Sequence, residues 1–343
     1  MRRWVQLVLG AGVALLGVGA LTGVGLYLAS DDNPTVPATV VDDASLPALV
    51  VDGVRLHAEV HGPADAPVVV VLHGGPGDDY RALLPLMPLS DTYRLVFYDQ
   101  RGAGLSQRVP ADRLSVDDYL AELDGVIDAH GDRPVHLIGH SWGAMLGAAY
   151  VGRHPEKVQS AILVEPGFLT ADASRPFLEA VSNPPLSPSL LQHAGWSWLR
   201  SLHVDGPDDD AASDFFMLEL LGGAPADAHP LGAYFCDRDP TTAHLPHWRF
   251  GSTASAAVQS YVQDGAIDLG IDRGLDAYDG PVLLVASGCN TLIGAEHQRT
   301  HHLPLFRQGR LEVVQDAGHT LIGEAPDRVV PLFRTFLDQS RAE

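Results

Sequence analysis

The sequence predicts an α/β fold in which helices cover both faces of a mostly parallel, doubly wound sheet. Short apolar runs alternate with amphipathic helical segments through 47–165 and 280–343, which we take as the core. One such run leads directly into a helical segment through a glycine-flanked pentad, Gly139-His140-Ser141-Trp142-Gly143. Between the two core segments, 166–279 is rich in Pro, Trp and Asp and has no strand-like run. This insertion is predicted to form a helical cap.

The core elements follow in chain order. Asp52-Gly53 is a hairpin dipeptide between the runs 49–51 and 54–60. Continuous apolar runs, typical of strands buried on both faces, lie at 68–72, 93–98, 135–138, 161–164, 282–286 and 311–314. Ser115 and Asp118 form a potential capping box for the first core helix. Helices are expected at 116–130, 143–154, 295–301 and 327–337.

The N-terminal segment predicts an association with a membrane. Arg2 and Arg3 precede an uncharged run from Trp4 to Ser30, which is long enough to cross a bilayer core of about 30 Å. We expect a transmembrane anchor at 4–29, with the catalytic domain outside the cytoplasm. A cleaved signal peptide, giving a secreted protein, is the alternative. The polar stretch 31–46 is then a linker.

Charge and cysteine content narrow the possible partners. Lys and Arg number 22 against 43 Asp and Glu, a formal net charge of -21, which argues against a nucleic-acid partner. The two cysteines, Cys236 and Cys289, are too few for a disulfide framework. One bridge in an oxidising compartment and two buried thiols both remain open.

The pentad predicts a nucleophile elbow, with Ser141 as the nucleophile. Its strand–turn–helix context projects a serine hydroxyl at the carboxyl edge of a sheet, and the flanking glycines relieve crowding in the strained turn. The backbone N–H of Trp142, at the start of the helix, is expected to stabilise an oxyanion. A second donor, the N–H of Gly75, is expected from His73-Gly74-Gly75-Pro76-Gly77, which follows the strand 68–72.

An activated serine needs a base and an acid to orient that base. His319 follows the last strand and is the expected base. The usual acid position, in the loop 287–292, holds no carboxylate. Glu165 directly follows the strand 161–164, at the same edge as Ser141, and is the predicted acid. The alternatives are a dyad supported by Asn290, an unidentified acid, and a Glu165 that only caps the first helix of the insertion.

Three motifs together resemble the proline iminopeptidase branch of the α/β hydrolases: the loop 73–77, the pentad 139–143, and Asp99-Gln100-Arg101-Gly102-Ala103-Gly104-Leu105-Ser106. The resemblance spans about 49–337 and implies an α/β-hydrolase fold. It also implies an aminopeptidase that removes an N-terminal residue, often proline, and whose cap acids hold the free amine. The family roles map onto Ser141, His319, Gly75 and Trp142, whereas Asn290 and Thr291 occupy the stretch of the family's acid. The candidate cap acids are Glu179, Glu219, Asp237 and Asp239.

We therefore expect a serine hydrolase that acts by acyl transfer on a small molecule or short peptide and needs no cofactor or metal. The first alternative is an esterase or lactonase for small apolar acyl compounds. The second is a non-catalytic, membrane-tethered binding module. Haloalkane dehalogenase and epoxide hydrolase chemistry is disfavoured, because both use an aspartate where this chain has Ser141.

Overall fold

The central sheet determines where every candidate residue lies. The computed structural model describes residues 22–183, 187–224, 229, 231–239 and 246–341. The strands are β1 Ala48–Val51, β2 Val54–His61, β3 Val68–Leu72, β4 Arg94–Tyr98, β5 Val135–His140, β6 Val158–Val164, β7 Val262–Gln263, β8 Ala266–Ile267, β9 Val282–Ser287 and β10 Gly309–Val314. The main sheet of the described residues has eight strands in the order β1-β2-β4-β3-β5-β6-β9-β10, and a separate hairpin pairs β7 with β8.

Most of the main sheet is parallel, as predicted. Strands β1 and β2 pair in antiparallel fashion, and β2 is antiparallel to β4. The remaining pairings of the main sheet, which join β4, β3, β5, β6, β9 and β10 in that order, are all parallel. The predicted hairpin turns at Asp52 and Gly53, whose φ angles are both positive, at 48° and 76°, as a type I′ turn requires.

Helices cover both faces of the sheet, which explains the continuous apolar runs. In β3, Val70 and Leu72 join one hydrophobic cluster, and Val69 and Val71 join the other. The helices are α1 Val116–Asp128, α2 Trp142–Arg153, α3 Ala171–Ser182, α4 Pro188–Ser201, α5 Ala211–Gly222, α6 Ser252–Ala257, α7 Ala295–His297, α8 Leu321–Glu324 and α9 Pro326–Ser340. The capping box of Ser115 and Asp118 is present at the start of α1. A long 3₁₀ segment, Tyr80–Asp91, was not predicted, because Pro85 and Pro88 interrupt its pattern.

The stretch 166–279 is mainly helical but also contains the hairpin of β7 and β8. This short hairpin was not predicted from the sequence. Asp264 and Gly265 have φ angles of 50° and 70° and form its two-residue turn. The strands contain two residues each, too few for an alternating pattern to show in the sequence.

A buried ionic cluster joins the cap to the core. Asp214 of α5 accepts hydrogen bonds from Arg108, which follows β4, and from Arg249, whose side chain is fully buried. The same carboxylate also accepts from the backbone N–H and the hydroxyl of Ser252. Moving the cap away from the core would leave these buried charges uncompensated. The cluster therefore stabilises the position of the cap on the core.

The N-terminal prediction lies largely outside the described residues. Residues 22–29 are helical, whereas 4–21 of the expected anchor are not described. Among the helices that the structure describes, none is long and apolar enough to span a membrane. The predicted linker 31–46 contacts the body: Val40 is fully buried, and its N–H donates to the carbonyl oxygen of Leu105 at 2.8 Å.

Candidate active site

Ser141 lies in the turn between β5 and α2. Its φ of 55° is in the left-handed region that non-glycine residues rarely occupy. Two neighbours must be glycine for backbones to approach this closely: a Cβ at Gly139 would lie 2.4 Å from the carbonyl oxygen of Gly143, and a Cβ at Gly143 would lie 2.2 Å from that of Leu72. The N–H of Ser141 donates to the carbonyl oxygen of Val164, at the end of β6, at 2.9 Å. The local structure is thus the strained elbow that the pentad predicts.

Glu165 and His319 form a buried hydrogen-bonded pair at the same sheet edge. The Nδ1–H of His319 donates to Oε2 of Glu165 at 2.8 Å, and the exposed fractions of the two side chains are 8% and 0%. Glu165 follows β6, the strand beside β5, and has a φ of 43°. With Nδ1 protonated, Nε2 of the neutral imidazole is left as the acceptor. This is the nitrogen that a general base uses.

The last residue of β9 and the loop after it donate to Glu165 rather than to His319. Oε1 of Glu165 accepts from the N–H and the hydroxyl of Ser287, both at 2.6 Å, and Oε2 also accepts from Nδ2 of Asn290 at 2.9 Å. Burial favours a higher pKa for Glu165, but the hydrogen bonds and charge interaction with His319, followed by the Ser287 donors, lower its pKa below the usual value. Asn290 therefore contacts the acid and not the imidazole.

The imidazole of His319 is held from two further sides. The ring of Tyr234 in the cap lies 4.2 Å from it, centroid to centroid, and the backbone N–H of His319 donates to the carbonyl oxygen of Tyr234 at 2.8 Å. On the other side, Nε2 of His140 donates to the carbonyl oxygen of His319 at 2.8 Å. Burial, followed by proximity to His319, lowers the pKa of His140 to about 4. A neutral His140 thus connects the elbow to the loop of the base.

A disulfide connects the cap to the loop that holds the acid. Cys236 and Cys289 are bonded, with a Cα–Cα distance of 4.8 Å, which decides between the two possibilities that the sequence left open. Cys236 lies two residues after Tyr234, and Cys289 immediately precedes Asn290. The N–H of Thr291 also donates to the carbonyl oxygen of Ala233 at 2.9 Å. The bond therefore fixes the segment above His319 to the segment beside Glu165.

The backbone N–H of Gly75, in the loop 73–77, is available to a substrate. Nδ1 of His73 donates to the carbonyl oxygen of Gly74 at 2.9 Å, while Nε2 of His73 accepts from the N–H of Gln100 at 2.9 Å. The peptide between Gly74 and Gly75 is trans, so its N–H points away from the His73 ring. Among the described residues, neither this N–H nor that of Trp142 has a hydrogen-bond acceptor.

Gln100 links this loop to the start of α2. Its side-chain amide donates to the carbonyl oxygen of His73 at 3.0 Å and accepts from the indole Nε1–H of Trp142 at 2.9 Å. All three side chains are buried. The two candidate oxyanion donors are therefore positioned by one network that includes Gln100 of the motif 99–106.

The carboxylate of Asp78 also lies beside the elbow. An ideal Cβ built on Gly74 would be 3.4 Å from Oδ2 of Asp78 and 3.3 Å from Cβ of Ser141. The negative charge of Asp78 favours protonation of both His73 and His140, although burial dominates the pKa of each and lowers it. Asp78 is half-buried, and no described side chain forms a hydrogen bond with it.

The candidate cap acids differ in their surroundings. Glu219 pairs with Arg200 of the neighbouring helix α4. Glu179 and Asp237 are exposed, and Asp239 is half-buried.

A known protein family matches the part of the chain that contains the elbow. The family model described as "alpha/beta hydrolase fold" matches residues 67–200, a range that holds the loop 73–77, the pentad and Glu165. This match, together with the mostly parallel sheet around it, identifies an α/β-hydrolase fold. A stretch of the chain is similar to a proline iminopeptidase from Heyndrickxia coagulans, with 41% identity over 100 residues, 29% of this chain and 34% of that protein.

An epoxide hydrolase and a solved structure are also similar to this chain. Epoxide hydrolase B of Mycobacterium tuberculosis (strain ATCC 25618 / H37Rv) is 31% identical over 115 residues, 32% of each chain. The chain thus spans about a third of the length of these curated relatives. The crystal structure of a proline iminopeptidase-related protein from Thermus thermophilus superimposes with a TM-score of 0.62 at 22% identity, covering 85% of this chain and 96% of that one. This likeness shows the shared fold.

Several residues of this α/β-hydrolase site were not found from the sequence. Ser287 contributes two hydrogen bonds to Glu165, and Tyr234 packs on His319, yet neither belongs to a recognisable motif. His140 occupies the variable second position of the pentad. Only Gln100 carried a usable signal, because it lies within the motif that follows β4.

Proposed function

We propose that this chain is a serine hydrolase that acts by acyl transfer, with Ser141 as nucleophile, His319 as general base and Glu165 as the acid that orients the base. The observation that carries the proposal is the buried pair of Glu165 and His319, at 2.8 Å, beside the elbow of Ser141. A carboxylate on Nδ1 holds the imidazole in the tautomer with a free Nε2 and stabilises the imidazolium once it forms.

In the proposed reaction, Oγ of Ser141 attacks the carbonyl carbon while Nε2 of His319 removes its proton. The carbonyl oxygen becomes an oxyanion, which the N–H groups of Gly75 and Trp142 stabilise. The imidazolium then protonates the leaving group, and the acyl-enzyme forms. Water, deprotonated by the same Nε2, hydrolyses the ester and restores Ser141.

A fluorophosphonate probe tests the nucleophile. The probe is expected to label the native chain and a Ser213→Ala control, in which an exposed cap serine is replaced. The Ser141→Ala variant should lose all labelling. Labelling that persists in this variant would contradict the proposal, and absence of labelling in the native, folded chain would instead favour the non-catalytic binding module.

The proposed substrate class is a short peptide or aminoacyl amide with a free N-terminal amine, as for a proline iminopeptidase. Two points support it: the similarity of 100 residues of the chain to a proline iminopeptidase, and the Asp78 carboxylate beside Ser141. A charge-assisted hydrogen bond from an ammonium group to a half-buried carboxylate contributes about 1.5–3 kcal/mol. Asp78 is therefore proposed to bind the amine that the sequence analysis assigned to the cap acids.

Paired substrates separate this activity from the alternative. In the Asp78→Asn variant, kcat/KM for prolyl and alanyl arylamides should fall about 10- to 100-fold, while kcat/KM for short aryl esters without an amine should hold. Asp237→Asn, which removes an exposed cap carboxylate, is the matched control. Equal losses on both substrate types would show that Asp78 does not recognise the amine.

An esterase or lactonase is the second candidate. The observation that favours it is the ion pair of Glu219 with Arg200, which engages one candidate cap carboxylate within the chain itself. Such an enzyme would hydrolyse aryl esters in preference to aminoacyl arylamides. It would also be insensitive to acetylation of the substrate's amine.

A further inference from the structure

The first described helix is apolar and exposed on every side. Residues 22–29 contain no charged side chain, and each of them is exposed. The exposed fractions of Val24, Leu26 and Leu28 are 56%, 48% and 66%. A helix that is apolar all round is normally buried in protein or in lipid. The described residues do not bury the apolar surface of this helix.

The cap helix α4 has a second exposed apolar face. Leu191, Trp198 and the C-terminal capping residue Leu202 are exposed by 61%, 54% and 48%, and their spacing of seven and four residues aligns them along one side. Trp196, exposed by 41%, widens this face. The remaining exposed residues between these positions, Gln192 and Gly195, are uncharged. On the opposite side, Leu190, Ser197 and Ser201 are buried against the cap.

These two surfaces are joined to each other. Tyr27 stacks on His203 at 4.2 Å between ring centroids, and Nε2 of His203 donates to the carbonyl oxygen of Tyr27 at 2.8 Å. Two residues beyond Ser30, Asp32 pairs with Arg200 of α4 at 2.7 Å. The end of the N-terminal helix is therefore fixed to the C-terminal end of α4, which places the two apolar surfaces next to each other.

We propose that the exposed face of α4 lies in the lipid–water interface of a bilayer that the N-terminal segment enters. In the sequence, residues 22–29 form the C-terminal part of the uncharged run that begins at Trp4. Tryptophan and tyrosine are enriched where a protein meets the lipid headgroups, and Tyr27, Trp196 and Trp198 are exposed on the joined surface. Because the chain has a formal charge of -21, this contact relies on apolar burial and favours zwitterionic over anionic lipid.

Tryptophan fluorescence in vesicles tests this orientation. The full chain with Trp4→Phe is reconstituted in phosphatidylcholine vesicles, with or without bromine on the acyl chains. Of the four tryptophans left among the original five, Trp196 and Trp198 face the lipid in the proposal, so brominated lipid should remove about half of the emission. Adding Trp196→Phe and Trp198→Phe should abolish the quenching, since Trp142 is buried and Trp248 lies in the body.

A reporter on the core provides the matched control. Val50, on the edge strand β1, is exposed by 63%, and Val50→Trp in the variant with all three Phe substitutions should show no quenching. Equal emission of the Trp4→Phe chain in both kinds of vesicle would overturn the proposal. Quenching of the Val50→Trp reporter to the same extent would also overturn it, because the contact would then be unspecific. If Trp198 is instead shielded from aqueous iodide only at high protein concentration, a second copy of the chain covers the face, and the proposal is likewise overturned.

Discussion

Two buried histidine–carboxylate pairs in this molecule have almost the same geometry but different surroundings. Nδ1 of His57 lies 2.8 Å from Oδ2 of Asp99, the same distance that separates Nδ1 of His319 from Oε2 of Glu165. The Nε2 side of His57 faces the hydroxyl of Tyr80 at 3.5 Å, and its ring stacks on that tyrosine. His319 instead lies in a loop at the carboxyl edge of the sheet, against the residue that precedes Ser141.

A buried histidine–carboxylate pair is therefore no evidence of catalysis in itself. Asp99 also accepts from the N–H groups of Tyr80 and Leu105, and a Cβ at Gly104 would lie 2.2 Å from its carboxyl carbon. This pair therefore organises the turn of the motif 99–106. In the second pair, a ring nitrogen is directed at no described partner, and Ser141, the proposed nucleophile, follows the neighbouring strand β5.

The largest expected difference follows from replacing each carboxylate by its amide. Glu165→Gln should lower kcat about 10³- to 10⁴-fold, because the amide no longer selects the tautomer or stabilises the imidazolium. Asp99→Asn should instead lower the free energy of unfolding by about 1–3 kcal/mol. Steady-state kinetics and thermal unfolding on both variants check this. A Glu165→Gln chain that turns over at the native rate would remove Glu165 from the proposed mechanism.

Breaking the disulfide affects only the second pair directly. With Cys236→Ser and Cys289→Ser, the free energy of unfolding should fall by about 2–4 kcal/mol. The turnover rate should also fall at temperatures where the chain is still folded, because the cap segment on His319 and the loop beside Glu165 are no longer joined. Reduction of the native chain with dithiothreitol should reproduce the loss. A rate that follows only the fraction of folded protein would show that the bond stabilises the fold without positioning the site.

A smaller effect is expected from Asn290→Ala, which removes one of the donors to Glu165. The pKa of Glu165 is lowered in the folded chain from its usual 4.5, so its charge stabilises the fold above that pH, and this stabilisation is lost as the pH falls through the folded pKa. Without the Asn290 donor the folded pKa should rise. Acid unfolding should therefore begin at a higher pH than in the native chain, whereas His57–Asp99 is unaffected. Coincident acid-unfolding curves would contradict this prediction.

The sheet was predictable because buried strands and tight turns depend on the local sequence, which shows them as apolar runs and turn dipeptides. The strands 68–72 and 282–286 were found nearly to the residue, and Glu165 was placed at the correct sheet edge from its position after 161–164. The hydrogen bonds to Glu165 were not predicted, because Ser287 and Asn290 come close to this residue only through the pairing of β6 with β9. Tyr234 reaches His319 from the cap, where no periodic pattern records the contact.

The position of Glu165 has a consequence for protein engineering. This residue ends the first core segment, and the carbonyl oxygen of Pro166, the first residue of the cap, accepts a hydrogen bond from the buried side chain of Gln298 at 2.9 Å. The proposed acid thus also lies at the point where the cap leaves the core. A chimaera that exchanges caps between hydrolases should be joined after Pro166. A junction two residues earlier would replace Glu165, and with it the acid that pairs with His319 and its backbone angle.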